Sequence, residues 1–203
     1  MIGRTTYHNV SGTRCATDFV ELPSVLMESF FASHAYLSTL SSHVKTGRPI
    51  PSDIIDTVLR TKRQFSSLEN ASQISMALLD QAYHSLPSSA NSGKYDSQQI
   101  LQHINAQSIL SLPPGWQTNF THLVGYGATY YSYLFDRAIA AHVYGTMFER
   151  DPFDREAGQR LKGMLSWGGG KEPWECVAEL LQDDRLKEGG AQAMKIVGQW
   201  GIE

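Results

Sequence analysis

Two groups of side chains in this 203-residue sequence have the types and spacing to do chemistry. The first is acidic. Asp18, Glu21 and Glu28 fall at i, i+3 and i+10 beside the apolar Phe19, Val20, Val25, Leu26 and Phe30, so a helix through them would line three carboxylates along one face. Carboxylates so placed repel one another unless a cation or a basic group answers them, which makes them candidate metal ligands; a solvated helix face is the alternative. Pro23 requires any such helix to begin near it or bend there. The second group is aromatic. His122, Tyr126, Tyr130, Tyr131 and Tyr133 follow one another around Gly125 and Gly127. Tyr130 and Tyr133, three apart at a helix start, could converge their hydroxyls on one point, and the glycines would let backbone approach a ligand. An aromatic core stripe with a satisfied histidine is the alternative there.

Other chemistries fail on spacing. Gly125-Tyr-Gly127 would need a third glycine at 130 and a preceding strand to bind a dinucleotide, and Tyr130 stands there. The run ending Gly170-Lys171 lacks both the first glycine and the Ser or Thr of a P-loop, with Leu165 and Glu172 in those places, so helix termination is its plain explanation. None of the seven histidines, His8, His34, His43, His84, His103, His122 and His142, is followed by glutamate, and no two are four apart. Cys15 and Cys176 are too sparse for a disulfide framework and are expected as free thiols. Three Asn-x-Ser/Thr matches, at Asn9, Asn70 and Asn119, occur often enough by chance to carry nothing.

The elements that must position these groups are helical. Apolar residues recur at three or four over residues 19–40, which Gly47 and the prolines at 49 and 51 end. Ser52 caps a second helix with Asp53 in its first turn and Ile54, Ile55, Val58 and Leu59 as its buried stripe. A third starts near Ser66, with Ala71, Ile74, Leu78 and Ala82 as its apolar period. Residues 85–97 form a Ser-rich loop, followed by helices over 98–108, 130–148, 161–167, 173–181 and 191–200, with a glycine-bearing loop at 122–129. Alternating strand patterns are almost absent and no repeat is found, so an all-α single unit is expected.

Composition excludes partners more firmly than it suggests them. With 41% apolar and 18% charged residues, and 17 basic groups against 20 acidic ones, the net charge is −3. That gives no basic surplus for nucleic acid or an anionic membrane. The stretch 130–148 is interrupted by Asp136, Arg137 and His142 and is too polar to span a bilayer. The first residues show no signal or transit peptide.

The segments Gly3-Arg-Thr-Thr-Tyr-His-Asn-Val-Ser-Gly-Thr-Arg-Cys15 and Asp18-Phe-Val-Glu-Leu-Pro-Ser-Val-Leu-Met-Glu28 resemble the thimet oligopeptidase family of zinc metallopeptidases. The likeness continues through His122-Leu-Val-Gly-Tyr-Gly-Ala-Thr-Tyr-Tyr-Ser-Tyr133, Asp151-Pro-Phe153 and Gly168-Gly-Gly-Lys-Glu-Pro173, in family order over almost the whole chain. The Ser-Gly-Thr-Arg-Cys and Leu-Val-Gly-Tyr-Gly pieces favour its mitochondrial branch. The resemblance implies the helical C-terminal part of a peptidase catalytic domain over residues 1–203, one zinc ion per complete enzyme, peptide substrates and a place in the mitochondrial matrix. By the same resemblance Glu21 is the third zinc ligand, with Asp18 and Glu28 orienting the ligand set behind it. Tyr133 is the hydroxyl donor to the oxyanion, and His122, Tyr126 and Tyr130 contact the substrate. In the family a His-Glu-x-x-His helix supplies two ligands and the general base, and that motif is absent here. Met1 is therefore read as an internal methionine of a longer peptidase, and the chain alone is expected neither to bind catalytic zinc tightly nor to hydrolyse peptides. The other reading is a non-catalytic helical module that binds peptides or serves as a scaffold.

Overall fold

Caps and prolines set the helix boundaries. In the computed structural model, which describes residues 2–85 and 96–202, Pro23 occupies the first turn of α1 (Leu22–Phe31), where a missing N–H costs nothing. Ser33 stays extended and its hydroxyl accepts the Tyr36 N–H to start α2 (His34–Leu40), so the one helix expected over 19–40 is two. Next come α3 (Ser52–Gln64), with Asp53 in its first turn and Lys62 and Arg63 in its last, and α4 (Ser66–His84). Asp96 caps α5 (Ser97–Gln107) by accepting two backbone N–H groups. The short α6 (His122–Gly125) lies inside the glycine-bearing loop and precedes α7 (Ser132–Met147). Asp154 caps α8 (Arg155–Ser166), which starts before the apolar period at 161 announces it. Glu172 caps α9 (Pro173–Leu181), and α10 (Gly190–Val197) closes the order. Among the described residues every regular element is helical, and no helix is long and apolar enough to cross a membrane. Most of the Ser-rich loop, residues 86–95, lies outside the described residues.

The chain separates into two compact units where the sequence pattern marked no boundary: residues 1–63 with 135–203, and residues 64–134. In the first unit Leu22, Leu26 and Phe30 of α1 bury against Ile139 and Val143 of α7 and Cys176, Val177 and Leu180 of α9. Each fully buried aliphatic side chain contributes about 1.5–3 kcal/mol by leaving water. The ring of Phe30 meets those of Tyr36, Tyr144 and Phe148 at centroid distances of 5.4, 5.2 and 5.0 Å. In the second unit α4 packs on α5 through Leu79, Leu101 and Ile104, and a second cluster joins Ala77, Phe120 and Tyr130.

Two expected stripes are displaced. On α3 only Ile55 is buried, while Ile54 and Val58 are half exposed. On α4 Ile74 and Leu78 are half exposed, and Ser75, Ala77, Leu79 and Asp80 are inside. The polar pair is tolerated because both are bonded: the Ser75 and Ser108 hydroxyls lie 2.6 Å apart, and Asp80 accepts from two backbone N–H groups. Hydrophobic periodicity carries no information about such partners. Both cysteines are free, as expected, and burial pushes both thiols up, Cys176 to about 11, so neither is a ready nucleophile.

The Gly168–170 run does more than end α8. The Gly169 N–H donates to the Val10 carbonyl at 2.8 Å, the Arg4 N–H donates to the Ser166 carbonyl at 2.8 Å, and a Cβ at Gly169 would collide with the Arg14 carbonyl oxygen. The irregular segment that leads to Glu21 is thus laid directly on glycine backbone. Gly169→Ala is expected to destabilise the chain by about 1–3 kcal/mol through this overlap. Gly163→Ala, in open space inside α8, should stabilise it by about 0.5–1 kcal/mol. Urea unfolding of the two variants checks the opposite signs.

Candidate active site

In the first unit the acids are arranged by a turn and not by a helix face. Asp18 and Glu21 lie in the turns that precede α1, and Glu21 is its N-cap residue, with the Ser24 hydroxyl donating to both its backbone oxygen, at 2.7 Å, and its carboxylate, at 3.0 Å. Pro23 excludes a helix running through Glu21 into α1, which is why the i, i+3, i+10 stripe does not form. Both side chains are partly exposed, whereas Glu28 is fully on the surface of α1.

The structure adds an acid that the sequence reading used only as an interruption of an apolar stretch. Asp136, on α7, has 0% exposure, and neither of its carboxyl oxygens has a hydrogen-bond partner among the described residues. Burial, then the charges of Asp18 and Glu21, push its carboxyl up to about 8, against a smaller opposing pull from the backbone at Glu21. Asp18, Glu21 and Asp136 therefore form one electrostatic group, and Glu28 is not among the charges acting on it. Among the described residues no group of three or more His, Cys, Asp or Glu side chains is placed to hold a metal ion. The residues present do not by themselves make a catalytic zinc site, since such a site needs three protein ligands.

In the second unit the imidazole of His122 stands within an aromatic cage. Its ring centroid lies 5.4 Å from Phe120, 5.7 Å from Tyr126, 5.2 Å from Tyr130 and 5.9 Å from Tyr133. The Tyr133 hydroxyl is 3.4 Å from His122 Nε2, a long contact. Tyr130 and Tyr133 meet ring to ring at 5.1 Å, but the Tyr130 hydroxyl donates to Gln73 Oε1 at 3.1 Å and the residue is 7% exposed. Tyr130 thus serves the core of the unit, while Tyr126 is 47% exposed. Phe120, which completes the cage, went unremarked in the sequence because nothing local separates it from a core aromatic.

The loop bends differently from its glycine pattern. Gly125 and Gly127 have no positive φ; the left-handed residue is Ala128, at φ 64°. Gly127 is small because the His84 imidazole occupies the space a Cβ would need. Asp80, 1% exposed on α4, accepts the Ala128 N–H at 3.0 Å and the Tyr130 N–H at 2.9 Å, and Gln81 donates to the Ala128 carbonyl at 2.8 Å.

The chain belongs to Peptidase family M3, whose family model matches residues 1–196. It is 48% identical over 206 residues to the mitochondrial intermediate peptidase of Malassezia globosa, covering all of this chain and 25% of that protein. It is 47% identical over 221 residues to mitochondrial intermediate peptidase 2 of Cryptococcus neoformans, covering all of this chain and 27% of that protein. With the mitochondrial intermediate peptidase of Neurospora crassa it shares 46% identity over 210 residues, 99% of this chain and 26% of the other. The chain spans about a quarter of the length of these relatives.

Removing single hydroxyls separates the inner tyrosine from the outer one. Tyr130→Phe should cost about 1 kcal/mol of stability through its lost bond to Gln73. Tyr126→Phe should stay within about 0.5 kcal/mol of the parent. Paired thermal melts read the difference.

Proposed function

We propose that this chain is the part of a zinc-dependent peptide hydrolase that presents a polar aromatic loop to the peptide and supplies one carboxylate to the metal. The observation that carries the reading is the pairing of Tyr133 with His122 across a loop hydrogen-bonded to α4, in a chain of Peptidase family M3. In this reading the Tyr133 hydroxyl donates to the oxygen of the scissile carbonyl as negative charge develops there. His122 and Tyr126 hold the peptide backbone, and Tyr130, expected as a third contact, fixes the loop from inside. The proposed metal ligand is Glu21, steadied by the Ser24 hydroxyl, with Asp18 and Asp136 shaping the field behind it and Glu28 at the surface. The two histidine ligands and the general base are not in these 203 residues, so hydrolysis needs groups from outside the chain and the chain alone should be inactive. The names of the relatives support a mitochondrial peptidase; the family resemblance adds short peptides or N-terminal presequences of imported proteins as the proposed substrates and the matrix as the proposed place of action.

Tyr133→Phe, made in a full-length peptidase that carries this segment together with a His-Glu-x-x-His helix, tests the reading. The ring and its packing are kept, so a hydroxyl that acts only in the transition state predicts a kcat lower by about 10²–10³ with KM nearly unchanged. A fall of less than about tenfold, with a lower melting temperature, would assign Tyr133 to packing and leave the non-catalytic peptide-binding module as the better account.

A further inference from the structure

Asp80 is a buried acid that neither the sequence motifs nor the proposed chemistry uses, and each of its carboxyl oxygens accepts a backbone N–H from one loop. Its Oδ1 accepts the N–H of Ala128 and its Oδ2 the N–H of Tyr130, two residues apart on the loop. The first of the two, Ala128, is in the left-handed region, which a side chain with a Cβ disfavours unless its surroundings over-determine it. Here they do. Its N–H is taken by Asp80 and its carbonyl by Gln81, neighbours on α4. His84, one turn further along, has Nδ1 2.9 Å from both the backbone oxygen and Oδ1 of Asp80, which fixes the ring against the Cα of Gly127. Three of the four loop residues 127–130, Gly127, Ala128 and Tyr130, are thereby held by three side chains of a single helix, and the grip lies in the chain between His122 and Tyr126 on one side and Tyr133 on the other.

From this geometry we infer that Asp80 is a positioning residue for peptide hydrolysis, setting the backbone of residues 127–130 so that Tyr133, which follows them, meets the peptide in register. The inference rests on the reading of that loop as the peptide-facing element. Asp80 touches no reacting atom in it; it acts through Tyr133. The demand on residue type is strict. Asn keeps the shape but replaces one of two acceptors by a donor facing a donor, and any side chain at 127 pushes the loop off the His84 ring.

The test has two arms. In the 203-residue chain, Asp80→Asn should speed amide hydrogen exchange at Ala128 and Tyr130 at least tenfold while Leu101 and Ile104 of α5 keep their protection; Gly127→Ala, which displaces the same backbone without touching Asp80, should do likewise and serves if Asp80→Asn does not fold. In the full-length peptidase, Asp80→Asn should lower kcat/KM at least tenfold in the parent and by less than threefold in a Tyr133→Phe background, because a residue that acts through Tyr133 has little left to lose there. A merely structural Asp80 would give the same fold loss in both backgrounds, and that result, or unchanged exchange at Ala128 and Tyr130, overturns the inference. A Tyr133→Phe enzyme as active as its parent removes the reading beneath it, a failure the exchange arm distinguishes because it reports on the grip without any substrate.

Discussion

The second unit depends on one carboxyl group. Asp80 is buried to 1% exposure, and a buried acid without donors would destabilise any helix that carried it. It is tolerated because the loop brings two backbone N–H groups to it, and the loop in turn holds a left-handed alanine because the acid is there. Each half supplies what the other lacks. The apolar clusters of the unit, around Leu79 and around Phe120 and Tyr130, flank this exchange of donors and acceptors.

The first unit solves a similar problem with backbone alone. Residues 4–15 are largely irregular, and an irregular segment must satisfy its own backbone groups. Glycine at 169 lets carbonyl oxygens and N–H groups of the two strands of chain approach directly, as the bond from Gly169 to Val10 shows. The segment then delivers Asp18 and Glu21 to the start of α1 beside the buried Asp136, an acid with no hydrogen-bond partner for either oxygen among the described residues. In both units a site residue sits at the end of a segment whose path is fixed by backbone contacts.

This explains what was legible in the sequence and what was not. Helix class, the starts at Ser52 and Pro173, the free cysteines and the family were readable because caps, prolines, cysteine spacing and local motifs are local facts. The break at Ser33 leaves no mark in the apolar period, which runs through it, and only the side-chain bond to Tyr36 reveals it. The buried face of α4 differs from its apolar stripe because Ser75 and Asp80 find partners 33 to 50 residues away, which periodicity does not encode. Of the candidate site, motifs nominate Glu21 and the His122 to Tyr133 loop. Asp80 and Asp136 carry no local signal at all, and the bond from the Tyr130 hydroxyl to Gln73 favours the aromatic-core reading of that residue, which no motif distinguishes from a substrate contact.

The central claim is that this chain contributes a single protein ligand, Glu21, to a zinc ion whose other ligands it does not contain. Competition with a chromophoric zinc chelator measures this directly. The account predicts that the 203-residue chain takes up well under one zinc per molecule, that a full-length peptidase carrying it binds one, and that Glu21→Gln in that enzyme weakens zinc binding at least tenfold while its fold is kept. Stoichiometric tight binding by the chain alone, or unchanged affinity after Glu21→Gln, would contradict it.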